Sequence, residues 1–307
     1  MTDIVVLGSL NMDLVVRAEH MPRPGETIRG TEFTTVPGGK GANQAAAAAR
    51  MGAKVEMVGR VGRDSFGPVL LESLRSQGVG VSHVALDSDT PTGTATIIVD
   101  DRGENTIIVV AGANGHVTPE DVNAAEGLLR QARYLVMQCE IPLATVRAAL
   151  SRAEKLGLPV ILNAAPACSL SPGFLEGVYC LVVNELEAES LTGIKVTDLV
   201  TARGAAEQLL CRPSPVVIIT LGAGGALLAT SSQVVHTPAR KVKVVDTTAA
   251  GDAFIGGLTV ALLRDFQLVE AVRYATCAGT LATTVLGAQT SLPSGAEVEA
   301  FYRGGQP

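Results

Sequence analysis

The sequence has no tryptophan, and aromatic residues of any kind make up only 3% of it. A core made from this chain must be filled by Ala, Val, Leu and Ile, the composition of a sheet buried between helices. Positive charge is also scarce. With a net charge of −6, no Lys/Arg-rich run and no basic strip interleaved with aromatics, neither nucleic acid nor an anionic membrane is an expected partner. The five cysteines (139, 168, 180, 211 and 277) form no CxxC pair, and their odd number excludes a complete disulfide framework. Reduced thiols in a cytoplasmic protein are the plain reading. The four histidines, His20, His83, His116 and His236, lack metal-ligand spacing. No apolar stretch reaches the length of a membrane span, and the start of the chain lacks the basic region of a signal peptide. Internal repeats and a Gly-x-Ser-x-Gly elbow are absent as well.

What is present is an alternation of short apolar runs and amphipathic segments over 307 residues, 47% of them hydrophobic. This predicts one α/β domain spanning 1–307. Ile4 to Leu7 reads as a buried, parallel strand. Asn11 and Asp13 follow its C-terminal end, the edge at which open α/β sheets bind ligands. On local pattern alone, turn chemistry is the better reading of this Asn and Asp. Residues 12–37 and 91–111 change character: they alternate loosely, are broken by Pro and Gly, and read as two hairpin-like pieces of one small sheet that could serve as a lid.

The chain is organised around residues 244–263. The β-branched run Lys241 to Val245 reads as a strand that ends in the small-residue turn Thr247 to Gly251 and opens into an apolar helix. The first N–H groups of a helix are unpaired and its dipole is positive there, so this turn is an anion cradle. Asp246 stands before it and Asp252 in its first helical turn, where a carboxylate could take a proton from an attacking hydroxyl.

Three other stretches carry polar chemistry. Gly38-Gly-Lys-Gly-Ala-Asn-Gln44 leads into a run of alanines, a strong helix signal with glycines at its entrance. It is not a Walker phosphate loop, because Ala42 stands where a Ser or Thr would hold magnesium. Asn184 and Glu187 share a face at a helix start, which suits hydrated Mg²⁺ and, equally, a capping box. Thr220-Leu-Gly-Ala-Gly-Gly225 is a glycine turn between two strands that could admit a nucleotide near the backbone. It leads into a strand, so it is not a dinucleotide fingerprint.

Together and in this order, Gly38-Gly-Lys-Gly-Ala-Asn-Gln44, Asn184-Glu-Leu-Glu187 and Asp246-Thr-Thr-Ala-Ala-Gly-Asp252 resemble the ribokinase-like (pfkB) family of carbohydrate kinases, from Ile4 to about Tyr302. The resemblance implies a three-layer α/β/α sandwich with a mostly parallel sheet and a small β lid. It implies ATP-dependent phosphorylation of a sugar hydroxyl, with D-ribose as the sugar and O5 as the acceptor. By motif match Asp252 would be the general base, with Ala249, Ala250 and Gly251 forming the anion hole. Asn11, Asp13, Gly39, Lys40, Asn43 and Glu140 would bind sugar. Asn184, Thr220, Gly222, Gly224, Gly225, Gly251 and Thr276 would bind nucleotide. Glu187 and Asn184 would serve Mg²⁺, while Asp246, Thr248, Ala282, Val285, Gly287 and Ser291 would form a K⁺ loop. Ala249 replaces a glycine common in relatives, with little effect expected. Family members often form homodimers through the lid sheet. The alternatives are a kinase for deoxyribose, fructose or adenosine, a non-catalytic sugar-binding regulator, and a nicotinamide-dependent oxidoreductase. The last lacks a Gly-x-Gly-x-x-Gly after the first strand.

Overall fold

The computed structural model describes residues 2–171, 173–210 and 215–306. Cys211 lies outside them, and the other four cysteines are free thiols. The chain opens with β1 (Ile4–Leu7), the strand pair β2 (Asn11–Ala18) and β3 (Gly30–Gly38), and helix α1 (Lys40–Arg50). Next come β4 (Val55–Gly62), α2 (Phe66–Ser76) and β5 (Gly80–Asp87), then a second strand pair, β6 (Gly93–Val99) and β7 (Asn105–Val110). The middle of the chain holds α3 (Pro119–Ala124), α4 (Glu126–Leu129), β8 (Tyr134–Gln138), α5 (Leu143–Leu156), β9 (Val160–Asn163), β10 (Cys180–Val183), α6 (Glu185–Thr192) and α7 (Leu199–Leu210). It closes with β11 (Val216–Thr220), β12 (Ala226–Thr230), β13 (Val234–Thr237), α8 (Ala250–Leu263), α9 (Leu268–Ala282) and α10 (Gly295–Tyr302).

Nine strands form one sheet in the order β13-β12-β11-β10-β9-β8-β1-β4-β5. It is parallel from β5 to β11, and β12 and β13 add antiparallel at one edge. Helices cover both faces, so the strands read as continuous apolar runs whose side chains alternate between two cores. Ile4 and Val6 enter a core shared with α1, α2, α8, α9 and α10, whereas Val5 and Leu7 enter the core under α3, α5 and α7. The helix–helix seams rely on small residues. A Cβ on Gly256 of α8 would lie 2.6 Å from the Ala47 Cβ of α1, and one on Gly257 would lie 2.9 Å from the Ala278 Cβ of α9.

The four remaining strands form a second sheet, β3-β2-β6-β7. It is built from the two segments read as hairpin-like insertions, although β2 and β6, which join them, run parallel. No helix among the described residues is long and apolar enough to cross a membrane.

Two features depart from the sequence reading. Lys241 to Val245 is not a strand. Its β-branched residues satisfy strand propensity, but the run has no neighbouring strand. Val244 and Val245 are exposed, and the Val245 and Asp246 amides donate instead to the Thr283 carbonyl beyond the end of α9. Asn11 and Asp13 do not sit in a turn after β1. They begin β2, where Asn11 pairs with Gly38 on one side and Gly93 on the other.

Candidate active site

The sheet's strand order reverses at β1. Chain order runs outward through β4 and β5 on one side and through β8 to β11 on the other. Such a switch point leaves a crevice beyond the strand ends. Here β1 exits through Gly8 and Ser9, and β8 exits through Cys139 and Glu140. The Ser9 hydroxyl donates to Glu140 Oε2 across the gap, and the Lys40 amide donates to the same oxygen at 3.1 Å. Helix α1 is pressed onto this junction. The Ala42 amide donates to the Ser9 carbonyl at 2.9 Å, and Gly39 adopts φ +92°, where a side chain would be strained.

The start of α8 faces α1 across the crevice. Asp252 lies in the first turn of α8 and is 7% exposed. Its Oδ2 accepts from Asn43 Nδ2 at 3.0 Å and its Oδ1 from Gln44 Nε2 at 3.0 Å. A Cβ on Gly251 would touch nothing within 4 Å, so the helix N-terminus is open toward a ligand. Ala249 caps α8 at φ 59°, in the left-handed region that an L-alanine adopts at a cost of about 1–2 kcal/mol. The strain makes Ala249 a less neutral replacement for glycine than the sequence implied. Ala249→Gly is expected to stabilise the fold by about 0.5 kcal/mol, net of the larger unfolded-state entropy of glycine, and so to melt slightly higher. A calorimetric melt checks this.

Three carboxyl groups act on a single ammonium, and a fourth, Asp13, stands near two of them. Burial disfavours the Lys40 ammonium, but Asp252, Glu140 and Glu187 outweigh it and hold its pKa above the ordinary value. Burial raises Asp252 most, against the opposing pull of Lys40 and the two amides. Burial likewise raises Glu187, despite the Asn184 amide and Lys40. Burial, then Glu140 and Asp252, push Asp13 up to about 7. Between the ordinary aspartate value of 3.8 and about 7, the folded protein holds a proton at Asp13 that the unfolded chain has lost. Stability therefore falls as pH rises through that window. Asp13→Asn removes the cost of ionising this buried carboxyl. The ligand-free variant should melt several degrees above the parent at pH 8, on the order of 1–2 kcal/mol after screening, and level with it near pH 4. Melting curves at the two pH values check both halves.

Asn11 is 4% exposed, and its Oδ1 accepts from Asn114 Nδ2 at 2.7 Å, which leaves its own amide hydrogens for the crevice. Asn184 and Glu187 form a reciprocal capping box: Asn184 Oδ1 accepts from the Glu187 amide and Glu187 Oε2 from the Asn184 amide, both at 2.8 Å. Among the described residues no group of three or more His, Cys, Asp or Glu could hold a metal ion. The excess of carboxylates over cations around Glu187 nonetheless fits a hydrated Mg²⁺, which takes one or two carboxylates and completes its shell with water and phosphate.

The glycine turn between β11 and β12 is a 3-10 turn over Gly222–Gly224, with both of those glycines exposed. Gly225 is different. It is buried at φ +92°, and a Cβ there would lie 2.0 Å from the Thr237 carbonyl, so β13 explains this glycine without a ligand. The Thr220 hydroxyl donates to the Val183 carbonyl at 3.4 Å. The Thr276 hydroxyl donates to the Val272 carbonyl at 2.8 Å, so toward any other group it can only accept. Thr276 lines a cleft of about 300 Å³ with His236, Thr237, Arg240 and Arg273.

On the far side of the α8 turn, Asp246 joins two loops. Its Oδ1 accepts from the Thr248 amide and hydroxyl at 2.9 and 2.7 Å, and its Oδ2 from the Gly287 amide at 2.9 Å. Ala282 ends α9, Val285 is exposed, and the buried Ser291 donates to the Ala288 carbonyl at 2.8 Å. Of the expected loop residues, Thr248 and Gly287 thus meet at the Asp246 carboxylate, an oxygen donor that fits a weakly hydrated monovalent cation.

The residues that sequence reasoning left without a role are Ser9, Gln44, Asn114, Gln138 and Asn163. Gln44 was in plain view at the end of the glycine–alanine string, whereas the other four reach the site from separate strands and loops.

Comparison with known proteins agrees with this geometry. The model of the pfkB family of carbohydrate kinases matches residues 1–295. A ribokinase of Haemophilus influenzae is 39% identical, with 97% of each chain covered. A deoxyribokinase of Salmonella typhi is 38% identical over 95% of this chain and 96% of its own. The structure of Arabidopsis thaliana ribokinase complexed with ribose and ATP superposes with a TM-score of 0.91 at 31% identity, covering 99% of both chains. The family match over residues 1–295, the identity along nearly the full length of the relatives and the shared fold show that this chain belongs to the pfkB family of carbohydrate kinases.

Proposed function

We propose that this carbohydrate kinase transfers the γ-phosphoryl group of ATP to O5 of D-ribose, giving D-ribose 5-phosphate. The observation that carries the proposal is Asp252, buried at the open N-terminus of α8 and hydrogen-bonded to the helix that starts at the Gly39–Lys40 junction. Relatives named as ribokinases, and a structural neighbour complexed with ribose and ATP, support the choice of substrates.

In this reading Asn11, Asp13, Gly39, Lys40, Asn43 and Glu140 hold the sugar hydroxyls in the crevice. Asn184, Thr220, the glycines Gly222, Gly224 and Gly225, and Thr276 flank the nucleotide. Asp252 accepts the O5 proton as the O5–phosphorus bond forms and the bond from phosphorus to the β–γ bridging oxygen breaks. The N–H groups of Ala249, Ala250 and Gly251 face the charge on the transferring group, and positioning with charge stabilisation supplies most of the rate. Bound near Glu187 and Asn184, Mg²⁺ would neutralise phosphate charge, and K⁺ in the loop of Asp246, Thr248, Ala282, Val285, Gly287 and Ser291 would brace the α8 turn.

The four-stranded sheet is read as a lid over the sugar and as the contact of a homodimer. Phe33 on β3 and Ile107 to Val110 on β7 are each more than half exposed, an apolar surface that a second copy would cover. A cytoplasmic setting fits the free thiols.

A second reading, deoxyribose as substrate, is favoured by the deoxyribokinase relative at 38% identity. Steady-state kcat/KM on ribose, 2-deoxyribose, fructose and adenosine, with and without K⁺, separates the two. Ribose is expected to lead 2-deoxyribose by at least about tenfold, because a site that hydrogen-bonds a hydroxyl rejects the analogue lacking it. The reverse order would transfer the assignment to deoxyribose. K⁺ is expected to raise the ribose rate several-fold.

A further inference from the structure

Asp252 is held from behind by a chain of amides that starts at Gln44 and runs to two strands. Asn163, at the end of β9, donates from Nδ2 to the Val182 carbonyl of β10 at 3.2 Å. A backbone carbonyl can only accept, so this bond fixes which way the Asn163 amide faces and points its Oδ1 at Gln44. Gln44 Nε2 donates to that oxygen at 3.1 Å and to Asp252 Oδ1 at 3.0 Å. Its own Oε1 accepts from Gln138 Nε2 at 2.7 Å. Gln44 is 1% exposed and Gln138 is fully buried. Flipping the Gln44 amide would set its oxygen against two acceptors and its NH₂ against a donor, so it has one orientation.

Asn43, the other partner of Asp252, is not anchored in this way. Its Nδ2 donates to Asp252 Oδ2, but its Oδ1 is buried without a partner. The two carboxylate oxygens are therefore unlike. Oδ1 is tied through Gln44 and Asn163 to the central sheet, whereas Oδ2 meets an amide with one group still open to a ligand.

We propose that Gln44 is a positioning residue. It locks the Asp252 carboxylate by Oδ1, so that Oδ2 is the oxygen presented to the sugar hydroxyl, and Asn163, anchored on the Val182 carbonyl, fixes the orientation of Gln44. The inference rests on Asp252 acting as the general base. The Gln44 bond also favours the ionised carboxylate, in a site where burial and the charges of Glu140, Asp13 and Glu187 oppose ionisation and Lys40 and the Asn43 amide assist it.

The test is Gln44→Met, similar in length and without amide groups, assayed beside the parent and Asp252→Asn. The parent should turn over ribose and Asp252→Asn should not. Gln44→Met is expected to keep the ribose KM within about threefold, to lose about 10–100-fold in kcat, and to move the acid limb of its kcat–pH profile up by about one unit. Thermal melts confirm that the variant is folded. Should it fail to fold, Asn163→Leu carries the same test, with a loss of about three- to tenfold in kcat and the same direction of pH shift. A folded Gln44→Met with parental kcat and an unmoved acid limb would overturn the proposal, while the Asp252 assignment would stand if Asp252→Asn is inactive. An inactive parent, or an active Asp252→Asn, would remove the reading on which the proposal rests.

Discussion

Replacing Asp252 with asparagine is expected to lower kcat by about 10²–10⁴-fold while ribose still binds. The substitution keeps the shape of the carboxylate and removes its ability to take a proton. The site is built to tolerate the change. Gln44 Nε2 can still donate to the remaining side-chain oxygen. Asn43, whose Oδ1 is unpartnered, can turn its amide and accept from the new NH₂. Because burial raises Asp252 above the ordinary carboxylate range, the ionised group costs folding free energy at neutral pH. The variant should thus melt at or above the parental temperature at pH 7.5. Calorimetric titration with ribose, steady-state kinetics and a thermal melt check the three parts. Near-parental turnover would reject the base, whereas lost ribose binding would mean that the carboxylate serves mainly to hold the sugar.

The second large effect is expected at Gly41. A Cβ at this position would lie 2.6 Å from the Ser9 nitrogen, 2.7 Å from the Gly8 carbonyl carbon and 2.8 Å from the Ser9 oxygen. All three are backbone atoms at the exit of β1, so no side chain can rotate out of the way. Relief requires α1 to move as a body. That movement would draw Asn43 and Gln44 away from Asp252 and the Lys40 amide away from Glu140. Gly41→Ala should cost about 2–4 kcal/mol of stability and raise the ribose KM at least about tenfold. Gly127 provides the control. It is exposed in α4 with nothing within 4 Å of a built Cβ, and Gly127→Ala should be neutral or stabilising by about 0.5–1 kcal/mol. Denaturation curves for the two variants, with ribose saturation for the first, decide the matter.

The parts of the site that lie within one short stretch were legible in the sequence. The alanines after Gly41 read as a helix, and α1 runs from Lys40 to Arg50 with Ala45 to Ala48 buried. The small-residue turn before Asp252 read as a helix start, and α8 begins at Ala250. Asn184 and Glu187 read as either a capping box or a metal pair, and the capping box is present. Where one residue type has two uses, local pattern names both and cannot rank them.

Other features were misread or passed over for identifiable reasons. Lys241 to Val245 has strand propensity but no partner strand, and pairing is a property of the whole sheet. Helix α7 was passed over although Ala202, Ala205, Ala206 and Leu209 follow a clear helical stripe, so its signal was available. β5 and β13 are half-buried edge strands of mixed character, with weak periodicity. The left-handed Ala249 could not be read, because nothing in an alanine announces positive φ. The amide chain behind Asp252 joins Gln44, Gln138 and Asn163 across more than one hundred residues, and only the packed sheet brings them together.

Product analysis tests the central claim most directly. The protein, with ATP, Mg²⁺ and K⁺, is incubated with uniformly ¹³C-labelled D-ribose and followed by ³¹P and ¹³C NMR. The account predicts one new phosphomonoester whose phosphorus couples to C5 of the sugar, formed in equal amount to the ADP released. A phosphoester on another carbon, or ATP consumed without any sugar phosphate, would contradict it.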